Sequence, residues 1–127
     1  MAVTTSAGAS TPFSITVNLE QPGMLAPSSF LVGWKRYAVA LFSDGVTYVL
    51  PPSAIPGLAS RRAKVGDSIT LYGVGFGTVT PAIAAGQVVQ QTNSLTAPFH
   101  LLFGQTEATV SYAGLAPNAM GCINSEW

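Results

Sequence analysis

The chain has 127 residues, a length at which one domain buries about two thirds of the surface that its unfolded chain exposes. Only 8% of the residues are charged and the five basic side chains balance the five acidic ones, which excludes a strongly basic surface for nucleic acid. Because a chain without net charge has little electrostatic resistance to association, we expect a homo-oligomer or a domain that packs against a neighbouring domain.

The sequence lacks the patterns of long helices and of membrane or signal segments, which excludes further classes of protein. The 13 glycines and 9 prolines interrupt every window that would hold a helix of three turns. No apolar tract is long enough to cross a bilayer, and residues 1–5 show neither the basic nor the apolar region of a signal peptide. We therefore expect an all-β chain without membrane insertion. The single cysteine, Cys122, has no partner for an internal disulfide.

Residues 13–19 are the first predicted strand. Four apolar side chains alternate there with polar ones: Phe13, Ile15, Val17 and Leu19. This alternation is typical of a half-buried strand. Residues 24–34 follow as an irregular connection, for which we expect an apolar anchor at Phe30 or Trp34.

The next segments predict a hairpin and a series of short strands. Residues 37–42 and 46–50 are apolar runs on either side of Asp44-Gly45, a dipeptide typical of tight hairpins. The prolines in residues 51–64 exclude a central strand there. Further predicted strands are 68–74, 87–90, 99–103 and 108–113. The total of about seven short antiparallel strands indicates an immunoglobulin-like β-sandwich.

Two motifs carry a resemblance to a known family. Residues 66–81 read GDSITLYGVGFGTVTP and residues 104–117 read GQTEATVSYAGLAP. Together with residues 10–17 and 38–45, they resemble the uncharacterised C-terminal domain of large secreted acidobacterial proteins, which is similar to the IPT/TIG branch of immunoglobulin-like folds. The resemblance implies this fold and an extracellular origin, and it supplies no catalytic or ligand residues.

The end of the chain departs from the pattern of that family. After Pro117 the family continues into a long strand pair, whereas only residues 118–127 follow here. We therefore interpret the chain as truncated and expect a bare sheet edge, which residues 13–19 would cover within the chain or by exchange with a neighbour. On this interpretation, residues 1–23 are a strand remnant of a preceding repeat and residues 24–127 form the sandwich domain.

Two short motifs raise the question of enzymatic chemistry. The glycines of Gly73-Val74-Gly75-Phe76-Gly77 predict a bend rather than a phosphate site, because no helix follows them. Residues 65–70, VGDSIT, resemble the nucleophile block of GDSL-type hydrolases. That resemblance implies Ser68 as nucleophile, His100 as base and Asp67 as their acidic partner. The family's acid three residues before the histidine is replaced by Ala97, and its helices are missing.

The remaining candidate function is the binding of a metal ion. One histidine and one cysteine cannot fill a tetrahedral zinc site. Three carboxylates lie in predicted loops and have the hard oxygen atoms that calcium prefers: Asp44, Asp67 and Glu107. No cofactor is expected, and a calcium site stays open as an alternative.

The sequence thus favours an extracellular immunoglobulin-like module that acts in adhesion, spacing or binding. The alternative is a small hydrolase of esters or lactones, with or without calcium. An enzyme would need His100 within hydrogen-bonding reach of a nucleophile or a metal-bound water, whereas a binding module would not.

Overall fold

The computed structural model describes residues 1–118 and 123–126, and Cys122 lies outside them. The regular structure of the described residues is β, apart from one 3₁₀ turn at Ser28–Phe30, which confirms the predicted all-β class. None of them forms a helix that is long and apolar enough to span a membrane.

The strands are short, as the frequent glycines and prolines predict. In chain order they are β1 (Thr4–Thr5), β2 (Gly8–Ala9), β3 (Gly23–Met24), β4 (Leu31–Val32), β5 (Lys35–Arg36), β6 (Ala40–Phe42), β7 (Tyr48–Val49), β8 (Ser60–Arg61), β9 (Ile69–Val74), β10 (Val79–Thr80), β11 (Ser94–Leu95), β12 (Leu102–Phe103), β13 (Thr106–Glu107), β14 (Tyr112–Leu115) and β15 (Ile123–Glu126).

One sheet of seven strands organises the chain. Its order is β14-β15-β9-β6-β7-β8, and β3 also pairs with β9. All its ladders are antiparallel except that between β7 and β8. The other strands form the separate pairs β1-β2, β4-β5, β10-β11 and β12-β13. The described strands therefore establish an all-β architecture, and a two-layer sandwich remains a prediction.

The core lies on one face of β6 and β9. Side chains alternate between buried and half-buried along both strands, because successive residues of a strand point to opposite faces. The buried cluster consists of Ala40, Phe42, Ile69 and Leu71. Leu101 packs against this cluster from the segment before β12, so a distant part of the chain closes the core.

The hairpin predicted at Asp44-Gly45 is confirmed. Leu41 of β6 lies opposite Tyr48 of β7, and Gly45 has a φ of +70°, a conformation that favours glycine. The Asp44 carboxylate accepts hydrogen bonds from the backbone N–H groups of Val46 and Thr47, which fixes the turn.

The predicted bend after β9 is also confirmed, and a second segment crosses it. Gly75 and Gly77 have φ values of +78° and +92°. The N–H of Gln21 donates a 2.8 Å hydrogen bond to the carbonyl of Gly75. A side chain at Gly75 would collide with the carbonyl of Gln21, so only glycine permits this close approach.

The prediction of a strand at residues 13–19 is wrong. This segment lies outside all strands, and every one of its residues is exposed. Residues 14–19 form no backbone hydrogen bond with another described residue. The pattern of alternation is present, but none of the described strands pairs with it to complete a ladder.

The described end of the chain adds a strand to the sheet. The strand β15 lies between β14 and β9 and forms four residue pairs with each. Asn118, which has a φ of +58°, belongs to the turn that follows β14, and asparagine tolerates this conformation better than most residues. Residues 123–126 therefore lie inside the sheet, β14 is at its edge among the described strands, and residues 13–19 form no ladder with that edge.

Three further predicted strands need correction. Residues 87–90 form no strand, although Val89 is buried and its carbonyl accepts a hydrogen bond from the N–H of Asn118. Of residues 99–103 only the last two are in β12, and the strand predicted at 108–113 lies at Tyr112–Leu115. Apolar runs of this length do not distinguish a ladder from a buried irregular segment.

Candidate functional site

The candidate residue Asp67 is held by an arginine. Its carboxylate receives two hydrogen bonds from the Arg61 guanidinium, at 2.8 and 2.9 Å, and one from the N–H of Lys64. The hydrogen bond from Arg61 is the main reason that the pKa of Asp67 falls to about 2. A carboxylate with so low a pKa is a weak base, so Asp67 does not suit proton transfer near neutral pH.

Arg61 also connects this ion pair to the core. Its guanidinium lies 3.5 Å above the centre of the Phe42 ring, in a cation–π contact. The edge strand β8 is thereby fixed to the turn that precedes β9. We assign Arg61 and Asp67 a structural role.

Asp44 is occupied by its own turn. Its second carboxylate oxygen accepts a 2.6 Å hydrogen bond from the hydroxyl of Thr47. This bond and the backbone bonds from Thr47 and Val46 lower the pKa of Asp44. Both oxygens of this candidate calcium ligand therefore serve the hairpin.

His100 forms a pair with Glu107. Its Nδ1 lies 2.6 Å from Oε1 of Glu107, and the hairpin of β12 and β13 brings the two residues together. Both side chains are exposed, at 65% and 59%. The sequence placed His100 in a predicted catalytic triad and Glu107 in a predicted calcium site. The structure instead joins the two side chains in one hydrogen-bonded pair.

The structure does not assemble the predicted triad. Ser68 is exposed and directly precedes β9, while Asp67 is hydrogen-bonded to Arg61 and His100 to Glu107. The predicted calcium ligands do not form a metal site either: in the part of the chain that the structure describes, no three His, Cys, Asp or Glu side chains come together to hold a metal ion.

Two residues were not identified as candidates from the sequence. Asn93 is buried, and its Oδ1 accepts a 2.7 Å hydrogen bond from the N–H of Leu115. Its amide group also donates to the carbonyl of Gln91, so the side chain holds the loop before β11 against β14. No local sequence signal distinguishes this asparagine from those of surface turns.

The second such residue is Trp34. It lies in the turn between β4 and β5, after Gly33 with a φ of +62°, and its side chain is fully exposed. The apolar anchor that we expected at Phe30 or Trp34 is Phe30, whose ring contacts that of Tyr48 at a centroid distance of 5.4 Å. Exposed tryptophans of this kind are common in binding surfaces.

Comparison with protein-family models, with curated proteins and with solved structures finds no match to this chain.

Proposed function

We propose that the chain is an extracellular immunoglobulin-like module that acts by binding, in adhesion or spacing, and that residues 13–19 contact a second copy of the chain. The observation that carries the proposal is the state of this segment. From residue 14 to 19 its backbone pairs with no other described residue, and its apolar side chains are exposed. An unpaired extended segment is a template for pairing with another chain.

The side chains of this segment favour association between identical copies. Phe13 is 73% exposed, Val17 81% and Leu19 96%. Burial of one such side chain stabilises an interface by about 1.5–3 kcal/mol. Residues 1–19 contain no charged side chain, so two copies of the segment meet without charge repulsion.

A substitution in this segment tests the proposal. We expect Val17→Lys to weaken self-association of the full chain by at least about tenfold, because one buried valine is worth more than 1.4 kcal/mol. Sedimentation velocity over a range of concentrations measures the dissociation constant. The matched control is Thr16→Lys, which adds the same charge on the opposite side of the segment.

The melting temperature separates association from folding. We expect removal of residues 1–19 to abolish self-association and to leave the melting temperature of the monomer unchanged, since this segment contributes no buried side chain. A parent chain that is monomeric at all concentrations would contradict the contact between copies. An equal effect of both lysine variants would contradict the role of the apolar side chains.

A second candidate function is the hydrolysis of esters or lactones, and the pair of His100 and Glu107 favours it. With its Nδ1–H donated to Glu107, the histidine presents Nε2 as an acceptor. A water that gives its proton to Nε2 would attack the carbonyl carbon, and the C–O bond would then break as the alcohol takes that proton back. Calcium would be an additional Lewis acid in this scheme and not a requirement of it.

His100→Ala tests this second candidate. If the chain hydrolyses a short-chain ester or lactone, we expect turnover to fall at least about a hundredfold, the usual contribution of a general base. The matched control is Gln105→Ala in the same exposed hairpin. Unchanged turnover in His100→Ala would leave a metal-centred reaction, which a chelator would then stop, and a parent chain without turnover would exclude the hydrolase.

A further inference from the structure

A cavity lies beside the bend that follows β9. Its volume is about 450 Å³, within the range of about 300–1,000 Å³ that is usual for small-molecule sites. Residues 75–79 form one wall, residues 82–87 a second, and Leu115 of β14 closes it. Residues 75–79 and Leu115 belong to the two motifs of the resemblance, but the resemblance supplies no ligand residues, and the candidate hydrolase uses none of the residues that line this cavity.

The walls are apolar and held in place. Val79 is buried, and Phe76 packs edge to face against Phe99 with a centroid distance of 5.4 Å. Ile83 and Leu115 are half-buried side chains that also line the cavity. A cavity with these walls favours an apolar or aromatic group over a strongly hydrated one.

One carboxylate lies against Gly77, a residue that lines this cavity. The Glu20 side chain covers Gly77, since a Cβ atom at Gly77 would lie 3.2 Å from Oε1 of Glu20. The hydrogen bond between Gln21 and Gly75 fixes this segment over the bend. Glu20 forms no hydrogen bond or ion pair with another described residue, and no Lys or Arg lines the cavity. A carboxylate without a cationic partner among the described residues therefore lies next to one wall of the cavity.

We propose that this cavity binds a small organic cation, in which an ammonium group is attached to an apolar or aromatic body. The ammonium group pairs with Glu20, and the body lies against Phe76, whose ring also attracts a cation through its face. An anion of the same shape is repelled by Glu20. The inference is independent of the contact between copies, because that contact uses residues 13–19.

Three probes of similar shape and different charge test the proposal. Protonated 2-phenylethylamine, neutral 2-phenylethanol and anionic phenylacetate are titrated into the isotope-labelled full chain, and amide chemical shifts are followed by NMR. We expect the amine to shift the resonances of residues 75–79 and 82–87. We expect it to bind about three- to fivefold more tightly than the alcohol, the range of one exposed ion pair, and phenylacetate to bind more weakly than the alcohol.

Two variants locate the probe. Glu20→Gln should remove the advantage of the amine and leave the affinity for the alcohol unchanged. Ala82→Trp should weaken all three probes, because Ala82 lines the cavity and is exposed, so a larger side chain enters the cavity without disturbing the core. Val65→Trp is its matched control, at a fully exposed position that does not line the cavity.

Several results would overturn the proposal. Equal affinities for the three probes would exclude a role of Glu20 in selection. Shifts confined to residues outside the cavity, or an Ala82→Trp variant that binds as the parent does, would place the probe elsewhere. The absence of shifts at millimolar amine would exclude the site.

Discussion

Phe42→Ala is expected to lower the free energy of unfolding by about 3–5 kcal/mol, the usual cost of a buried phenylalanine. Phe42 is 4% exposed and belongs to the cluster on the face of β6 and β9. Its ring also receives the Arg61 guanidinium, so the variant removes the cation–π contact together with the packing. The loss is comparable to the total stability of many small domains.

Urea unfolding of the monomeric chain, followed by tryptophan fluorescence and far-UV circular dichroism, measures this loss. Val46→Ala is the matched control, because Val46 lies in the adjacent hairpin turn and is 67% exposed. We expect that control to change the free energy of unfolding by less than about 0.5 kcal/mol. A Phe42→Ala variant within the same limit would show that the β6-β9 face is not the core in solution.

Gly75→Ala is expected to have the second largest effect. A residue with a side chain carries strain of about 1–3 kcal/mol at this φ of +78°. In addition, the new methyl group would collide with the carbonyl of Gln21. We therefore expect residues 20–21 to leave the bend, with loss of the hydrogen bond between Gln21 and Gly75.

Gly86→Ala separates the effect of backbone strain from the effect of the collision. Gly86 has a φ of +83°, and a Cβ atom there meets nothing within 4 Å, so this variant carries the backbone strain without the collision. Thermal unfolding compares the two variants, and the amide resonance of Gln21 reports whether the crossing segment is displaced. Equal stabilities, with the Gln21 resonance unchanged in Gly75→Ala, would contradict the close approach seen in the structure.

The sequence predicted those features that depend on neighbouring residues. The Asp44-Gly45 turn forms because the carboxylate of Asp44 and the positive φ of Gly45 act within five residues, between Phe42 and Thr47. The strand β9 follows from β-branched and apolar residues in alternation, and its end follows from glycines that allow a bend. The all-β class could be predicted because it follows from such local preferences along the chain.

The pairing of strands was decided by the tertiary structure. Residues 13–19 have the alternation of a strand but pair with none of the described strands, whereas β15 lies between β14 and β9. Residues 123–126, Ile-Asn-Ser-Glu, have no such apolar alternation, and backbone pairing on both sides holds them in the sheet. A ladder is made by main-chain groups that every residue except proline carries in full, so side-chain pattern cannot by itself select the partner.

The pairing of strands also decided which candidate site residues meet. The sequence supplied His100, Asp67 and Glu107 as residues capable of chemistry, and it grouped them by resemblance and by loop position. The ladder between β12 and β13 instead placed His100 beside Glu107, and the path of the chain from β8 to β9 placed Arg61 beside Asp67. Residue type alone determined what each side chain can do, whereas the register of the strands decided which partner it meets, because a hydrogen bond forms only within about 3 Å.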